Sequence, residues 1–372
     1  MTRPVVIAAG GTGGHMFPAL ALAAELQGRG QPVVLVCDAR GARYVGAEVA
    51  HRLIRAASPS GRWPSRLGGL GRLAVGLWQS LAILRRTRPA AVAAFGGYAA
   101  APVGLAAAIL RVPLLVHEQN AVLGRANRLI ARRAARLALT FEATRGAEAV
   151  PADKRAVTGN PVRGEVAALR GAPYRAATPE QALNVLVVGG SQGARVLSEV
   201  VPAAIARLTK DERARISLTQ QCRPEDLERV ASAYEGLGFA AELASFFDDL
   251  PQRMAASHLV VSRAGASSVA ELLALGRPAL LVPFRFAADD HQQANAEAVR
   301  AAGAGWLIEE VRLDAETLAG KLRIALEEPQ QLVAMAARAA ALGRTDAVGA
   351  LADALQSLVA PASIKTQLEA LA

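Results

Sequence analysis

The chain has 372 residues, 52% of them hydrophobic, and a formal net charge of +10 at pH 7. This length exceeds what one hydrophobic core usually serves, so we expect two domains. The basic balance indicates an anionic partner, such as nucleic acid, an anionic membrane surface or a phosphorylated substrate. Because aromatic residues make up only 4% of the chain and are not interleaved with arginine in a stripe, the composition argues against nucleic acid.

Three further features of the sequence narrow the class of protein. Cys37 and Cys222, the only cysteines, lie far apart, which is typical of a reducing cytosol and gives no metal-binding spacing. The start of the chain leads directly into an apolar run, so no signal peptide is predicted. The uncharged stretch 89–110 is mostly alanine and is broken by proline and glycine. It therefore predicts a buried strand, a glycine loop and a helix rather than a membrane span.

Short β-branched runs alternate with longer helical patterns, as in parallel sheets covered by helices. The predicted strands are 5–9, 33–37, 53–57, 91–95, 114–117 and 137–140, and then 185–188, 216–220, 259–262 and 279–283. The sequence therefore predicts an α/β protein with domains at 1–160 and 161–345. A C-terminal helical segment, 346–372, is expected to pack back on the first domain.

A glycine turn follows the first strand of each predicted domain, with GGTGG at 10–14 and GGSQG at 189–193. Bare backbone N–H groups at the entrance of a helix suit a phosphate. The first turn has Met16 where the dinucleotide fingerprint requires its third glycine, and it lacks the ending of a P-loop. Because open α/β sheets bind ligands outside the carboxyl ends of their strands, we expect the active site between the two domains.

Polar side chains follow several of the predicted strands. His15 stands at a helix entrance, where a neutral imidazole can take a proton from an attacking hydroxyl. The motif HEQN at 117–120 ends another strand, and Arg163 of GNPVR can reach a phosphate. Glu271, one turn into a helix, either stabilises the helix dipole or accepts hydrogen bonds from ribose hydroxyls. The acidic pairs at 248–249 and 289–290 lack metal-binding spacing, so we predict no catalytic metal.

Six motifs together resemble the MurG family of glycosyltransferases: GGTGGH at 10–15, FGGY at 95–98, HEQN at 117–120, GNPVR at 159–163, GGSQGA at 189–194 and AGASSVAE at 264–271. The resemblance implies a GT-B fold, in which two Rossmann-like domains have parallel sheets that face a central cleft. It also implies inverting transfer of N-acetylglucosamine from UDP-N-acetylglucosamine to lipid I, the undecaprenyl-diphosphate-linked muramyl-pentapeptide, giving lipid II. No cofactor is implied.

The resemblance also assigns residues to the two substrates. The implied donor residues are Thr12, Gly13, Gly14, Asn120, Arg163, Ser191, Phe247, Ala266, Ser267, Ser268, Val269, Ala270, Glu271, and Gln292 or Gln293. On the acceptor side it places Tyr98 and His117. His15 is the first candidate for the catalytic base and Glu118 the second.

A lipid-linked acceptor requires a surface that rests on the membrane. The segment 61–86 has leucines at helical spacing together with interfacial and basic residues, and the membrane contact is predicted at Arg62, Trp63, Arg66 and Trp78. The expected location is peripheral, on the cytoplasmic face of the bacterial cell membrane, with cell-wall synthesis proteins as partners. Two alternatives remain open: a UDP-N-acetylglucosamine 2-epimerase of the same architecture and a non-catalytic scaffold.

Overall fold

The computed structural model describes residues 2–56, 63–178, 181–190, 193–344 and 346–359, with the backbone alone over 63–70. The chain forms two compact units. Unit 1 runs to Arg163 and resumes at Asp346, and unit 2 is Gly164–Thr345.

Within its described residues, unit 1 contains a seven-stranded sheet in which every pairing is parallel. The strands are β1 (Val5–Ala8), β2 (Val33–Cys37), β3 (His51–Leu53), β4 (Ala91–Ala94), β5 (Leu114–Glu118), β6 (Arg136–Leu139) and β7 (Arg155–Val157). Their order across the sheet is β3-β2-β1-β4-β5-β6-β7. β1, β4 and β5 are buried along their whole length, because helices cover both faces of the sheet.

Five helices cover this sheet in the described part of unit 1: α1 (Gly13–Gly28), α2 (Trp63–Thr87), α3 (Gly97–Ile109), α4 (Arg125–Ala131) and α14 (Ala347–Val359). α14 places Leu351 and Leu355, both fully buried, in a core shared with β1, β2 and α1. Arg29 at the end of α1 forms an ion pair with Asp353 of α14. The C-terminal helix is therefore part of the core of unit 1.

Unit 2 contains a second parallel sheet, with six strands among the residues described. The strands are β8 (Leu183–Val188), β9 (Ile216–Gln221), β10 (Ala241–Ala244), β11 (Leu259–Ser262), β12 (Ala279–Leu281) and β13 (Gly305–Leu307), in the order β10-β9-β8-β11-β12-β13. The helices are α5 (Gly164–Ala168), α6 (Arg195–Arg207), α7 (Lys210–Ala214), α8 (Leu227–Glu235), α9 (Leu250–Ala256), α10 (Ala266–Ala274), α11 (His291–Ala301), α12 (Ala315–Glu327) and α13 (Pro329–Leu342).

Each sheet reverses its strand order once, next to its first strand. In unit 1 the reversal lies between β1 and β4, and in unit 2 between β8 and β11. The loops that leave the two central strands diverge there, which opens a crevice at the carboxyl ends of the strands. The glycine turn at 10–14 follows β1 at this point, and the turn at 189–193 follows β8.

The structure corrects the strand predictions at the sheet edges. The third strand was wrong: it is His51–Leu53, not 53–57, and its three residues are exposed. β7, β10 and β13 were not predicted at all, and each is an edge strand. The interpretation of 89–110 is confirmed, since β4, a glycine turn and α3 occupy it. No helix in the described ranges is long and apolar enough to cross a membrane.

Candidate active site

The glycine turn after β1 is held by a carboxylate that directly follows the neighbouring strand β2. Gly11 has φ +86, a backbone conformation that glycine adopts without steric cost. Its N–H donates to Asp38 Oδ1 at 3.0 Å, and the N–H of Gly41 donates to the same oxygen at 2.8 Å. Asp38, 5% exposed, follows β2. It therefore fixes the backbone of the turn, a role that the sequence analysis did not assign to it.

His15 lies in the first turn of α1, against the glycines that follow β4. A Cβ added to Gly96 would lie 3.2 Å from His15 Cε1, and one added to Gly97 would lie 3.3 Å from Cδ2. The Gly97 Cβ would also meet the carbonyl oxygen of Gly10 at 2.4 Å, and Gly97 has φ +74. The two glycines of FGGY therefore leave the space that the imidazole occupies.

A chain of hydrogen bonds connects the His15 imidazole, through side chains at the end of β5, to the loop that follows β7. His15 Nδ1 is 3.0 Å from Gln119 Oε1, and Gln119 Nε2 is 3.0 Å from His117 Nδ1. His117 Nε2 is 2.9 Å from the carbonyl oxygen of Gly159. Complete burial lowers the pKa of the His117 imidazole to about 4, so this ring is neutral at pH 7.

Glu118, between these two side chains in sequence, is 1% exposed and accepts four hydrogen bonds. Oε1 accepts from the N–H and the side-chain amide of Asn120, both at 3.0 Å. Oε2 accepts from the N–H of Gly124 at 2.9 Å and from Asn127 Nδ2 at 2.8 Å. Two donors on each oxygen compensate the buried carboxylate and tie the loop after β5 to α4.

The remaining predicted residues of unit 1 lie near this site. Thr12 immediately precedes α1, and Gly13 and Gly14 begin it. Tyr98 is half-buried in the first turn of α3. The Arg163 guanidinium lies 5.8 Å from the ring centroid of Phe17, two residues after His15 in α1. The structure therefore groups these residues with His15 inside unit 1.

In unit 2, a second set of predicted residues surrounds the start of α10. Ala266, Ser267, Ser268, Val269, Ala270 and Glu271 form its first six residues, after the N-cap Gly265. The Oγ atom of Ser267 is buried and has no hydrogen-bond partner among the residues that the structure describes. Glu271 is 6% exposed. In the turn after β8, Gly190 has φ +81 and Gly193 has φ +68, while Ser191 lies outside the described residues.

Two glutamines and one aromatic residue complete the predicted donor set. Gln292 and Gln293 both lie in the first turn of α11. Gln292 Oε1 accepts a hydrogen bond from the N–H of Phe284 at 2.9 Å, whereas Gln293 Nε2 donates to Glu297 at 3.0 Å. Phe247 is buried under the guanidinium of Arg253, 4.4 Å from the ring centroid. Gln292 therefore extends towards the loop after β12, and Gln293 extends along its own helix.

Only part of the predicted membrane contact lies within the residues that the structure describes. Arg62 lies outside the described residues, and the side chains of Trp63 and Arg66 are not described either. Trp78, in α2, is 71% exposed. Over the described ranges, no cluster of three histidine, cysteine, aspartate or glutamate side chains is arranged to hold a metal ion.

The buried His117 predicts a loss of stability at acid pH. The unfolded imidazole takes up a proton near its ordinary pKa of 6.5, but the folded one does so only near 4. Between these values the unfolded state binds more protons, so this contribution to the free energy of unfolding is complete above pH 6.5 and falls as pH falls. The expected loss is on the order of 3 kcal/mol. Denaturant titrations at pH 7 and pH 4 measure the loss in the free energy of unfolding, which should be smaller for His117→Gln than for the parent. Equal losses in the two proteins would contradict the attribution of this loss to His117.

Comparison with known proteins places both units in one family. The glycosyltransferase family 28 N-terminal domain matches residues 5–139, and its C-terminal domain matches residues 184–351. A protein of Paramagnetospirillum magneticum is 53% identical over 297 residues, which are 79% of this chain and 80% of that protein. It is named UDP-N-acetylglucosamine--N-acetylmuramyl-(pentapeptide) pyrophosphoryl-undecaprenol N-acetylglucosamine transferase.

Solved structures agree with this result. The crystal structure of MurG from Acinetobacter baumannii superposes with a TM-score of 0.79 and 29% identity, over 95% of this chain and 99% of that one. A UDP-GlcNAc 2-epimerase from Neisseria meningitidis superposes with a TM-score of 0.65 and 15% identity, over 96% and 100% of the two chains. The second likeness shows the GT-B fold alone. With both family domains matched in order along its length, the chain belongs to glycosyltransferase family 28.

Proposed function

We propose that the chain transfers N-acetylglucosamine from UDP-N-acetylglucosamine to lipid I and so forms lipid II. The observation that carries this proposal is the 53% identity, over four fifths of both chains, to a transferase whose name states that donor and acceptor. The epimerase shares the fold at only 15% identity, and a fold does not determine a function. Transfer is therefore the better supported activity.

We assign the donor to unit 2 because its carboxyl-end turns suit a diphosphate. The N-terminus of α10 carries a partial positive charge, and its first turn contains the Ser267 hydroxyl, which has no hydrogen-bond partner in the described part of the chain. A phosphate oxygen there would satisfy a buried polar atom that otherwise costs free energy. Glu271, in the second turn, accepts the ribose hydroxyls in this assignment. Gln292 reads the sugar, since Phe284 anchors its oxygen and orients its amide nitrogen as a donor.

We assign the acceptor to unit 1 and the role of catalytic base to His15. Both candidates lie at the end of the same sheet, but the carboxylate of Glu118 already accepts four N–H groups. Taking up a proton there would break part of the network that holds the loop after β5. Within the described residues, the His15 imidazole forms a hydrogen bond through Nδ1 and none through Nε2. Its Nε2 is therefore the better acceptor for the proton of a hydroxyl group.

The reaction then proceeds as a single displacement. The muramyl 4-hydroxyl attacks the anomeric carbon from the face opposite UDP, so the new glycosidic bond has inverted configuration. The hydroxyl proton passes to His15 Nε2, and the bond from the anomeric carbon to the diphosphate oxygen breaks with its electron pair on UDP. The start of α10 stabilises the charge that develops on UDP.

Transfer is tested with the purified chain, radiolabelled UDP-N-acetylglucosamine and a lipid I analogue. We expect label on the acceptor, with β configuration, when both substrates are present, and unchanged donor when the acceptor is left out. Conversion of the donor to its 2-epimer without acceptor would instead identify an epimerase. Retention of donor and acceptor unchanged, with both bound, would identify a scaffold.

We further propose peripheral attachment to the cytoplasmic face of the cell membrane through one groove of unit 1. The groove has a volume of about 860 Å³, and its lining includes Leu77, Ile109, Arg111, Arg133 and Lys154. Ile109 is 59% exposed, as large apolar side chains at an interface would be. Three cations around an apolar floor match acyl chains beneath anionic headgroups, at about 1 kcal/mol for each cation.

The groove assignment predicts a defect in lipid binding alone. The variant Ile109→Ser with Arg111→Glu and Arg133→Glu should bind anionic vesicles less tightly in sedimentation at low salt, where electrostatic attraction is strongest. Its transfer to a water-soluble acceptor analogue should stay near that of the parent. The matched control reverses two exposed charges in unit 2, Arg300→Glu and Arg338→Glu, and should still bind. Equal binding by the groove variant and the parent would move the contact elsewhere.

A further inference from the structure

Gln119, whose side chain contacts His15, has no role in the reaction described so far. Gln119 is 1% exposed and contacts His15 through its oxygen and His117 through its nitrogen. Its nitrogen also lies 3.2 Å from the carbonyl oxygen of His117. A buried amide with a hydrogen bond at each end has one orientation, and that orientation affects the proton positions on both rings.

The atoms that can only accept a hydrogen bond determine which ring nitrogen of each histidine carries the proton. Gly159 offers a carbonyl oxygen, so His117 Nε2 carries the proton and donates it. In a neutral ring, His117 Nδ1 is then bare and accepts from Gln119 Nε2. The carbonyl oxygen of His117 accepts from Asn127 Nδ2 and, being an acceptor only, cannot face the amide oxygen of Gln119, so the amide nitrogen lies on this side and the oxygen towards His15. Only an N–H can face that oxygen, so His15 carries its proton on Nδ1.

We propose that Gln119 is a positioning residue that holds His15 in the tautomer with a proton on Nδ1 and a bare Nε2. The proposal rests on the role of His15 as base in the proposed function. It connects three motifs. The carbonyl oxygen of Gly159 determines the tautomer of His117, and the bare Nδ1 of His117 determines the orientation of the Gln119 amide. The oxygen of that amide determines the tautomer of His15. Gly96 and Gly97, which have no side chain, lie against the ring.

This arrangement lets the proton move without a rearrangement. When the acceptor hydroxyl bonds to the anomeric carbon, its proton passes to Nε2, and the ring becomes an imidazolium that still donates Nδ1–H to Gln119 Oε1. The leaving UDP keeps the electron pair of the broken bond, and the imidazolium later releases its proton to water. An amide oxygen orients the ring, as a carboxylate does in other enzymes, without adding a buried negative charge.

The test compares Gln119→Leu with Gln119→Glu in the full chain. Leucine removes the acceptor for Nδ1–H, while glutamate keeps an oxygen there in either protonation state. The ¹⁵N shifts of the imidazole nitrogens report the tautomer without substrate. The chain has five histidines, and the His15 signals are those that are missing from His15→Ala. We expect the Nδ1–H form in the parent and Gln119→Glu and its loss in Gln119→Leu. In Gln119→Leu, kcat should fall about tenfold or more at unchanged donor KM.

The outcomes separate this proposal from the function on which it rests. An Nε2–H tautomer in the parent, or an Nδ1–H tautomer that survives in Gln119→Leu, would overturn the proposal whatever the activity. Loss of the tautomer in Gln119→Leu with unchanged kcat would support the positioning and overturn the role of His15 as base. A parallel fall of kcat and of donor affinity would indicate a structural role for Gln119 and would also overturn the proposal.

Discussion

The buried carboxylate of Glu118 imposes the constraint on which the site in unit 1 depends. A carboxylate that is 1% exposed must be hydrogen-bonded, because an uncompensated buried charge costs several kcal/mol. Its four donors come from Asn120, Gly124 and Asn127. These bonds fix the loop after β5 and the start of α4 against the end of the strand. His117 and Gln119, on either side of Glu118 in sequence, then have little freedom to move.

The same constraint separates two functions within one short motif. Asn120 and Glu118 hold the loop, whereas His117 and Gln119 reach towards Gly159 and His15. His117 and Glu118, the last two residues of β5, point to opposite sides of the sheet, so neighbouring polar residues take part in two networks. One network holds the loop and the other contacts His15, the base in the proposed function.

The sequence predicted the strands at the centre of each sheet and failed at the edges. Central strands such as β1 and β8 are buried apolar runs, which a hydrophobic pattern identifies. β3 is fully exposed and β10 is at most half-buried, so backbone pairing rather than apolar composition defines them. The motifs predicted which turns gather at one edge of each sheet, because parallel strands bring their carboxyl ends to one edge.

The hydrogen-bond partners at the site were harder to predict than its location. Asp38 lies 27 residues from Gly11, and Gln119 lies 104 residues from His15. No periodicity or spacing relates such pairs. The signal that could have identified Asp38 is its position directly after a buried strand next to β1, where the sheet brings it to the glycine turn. The choice between His15 and Glu118 as the proposed catalytic base likewise required the number of hydrogen-bond donors around each side chain.

The kinetics of His15→Ala test the central claim most directly, with donor affinity measured on the same preparation. If Nε2 takes the proton of the acceptor hydroxyl, kcat should fall by about 100-fold or more while the dissociation constant for UDP-N-acetylglucosamine stays that of the parent. His51→Ala, on the exposed edge strand β3, should behave as the parent in both measurements. A donor affinity that weakens as much as kcat falls, or a kcat that does not change, would contradict the account and leave His15 as a residue that only shapes its loop.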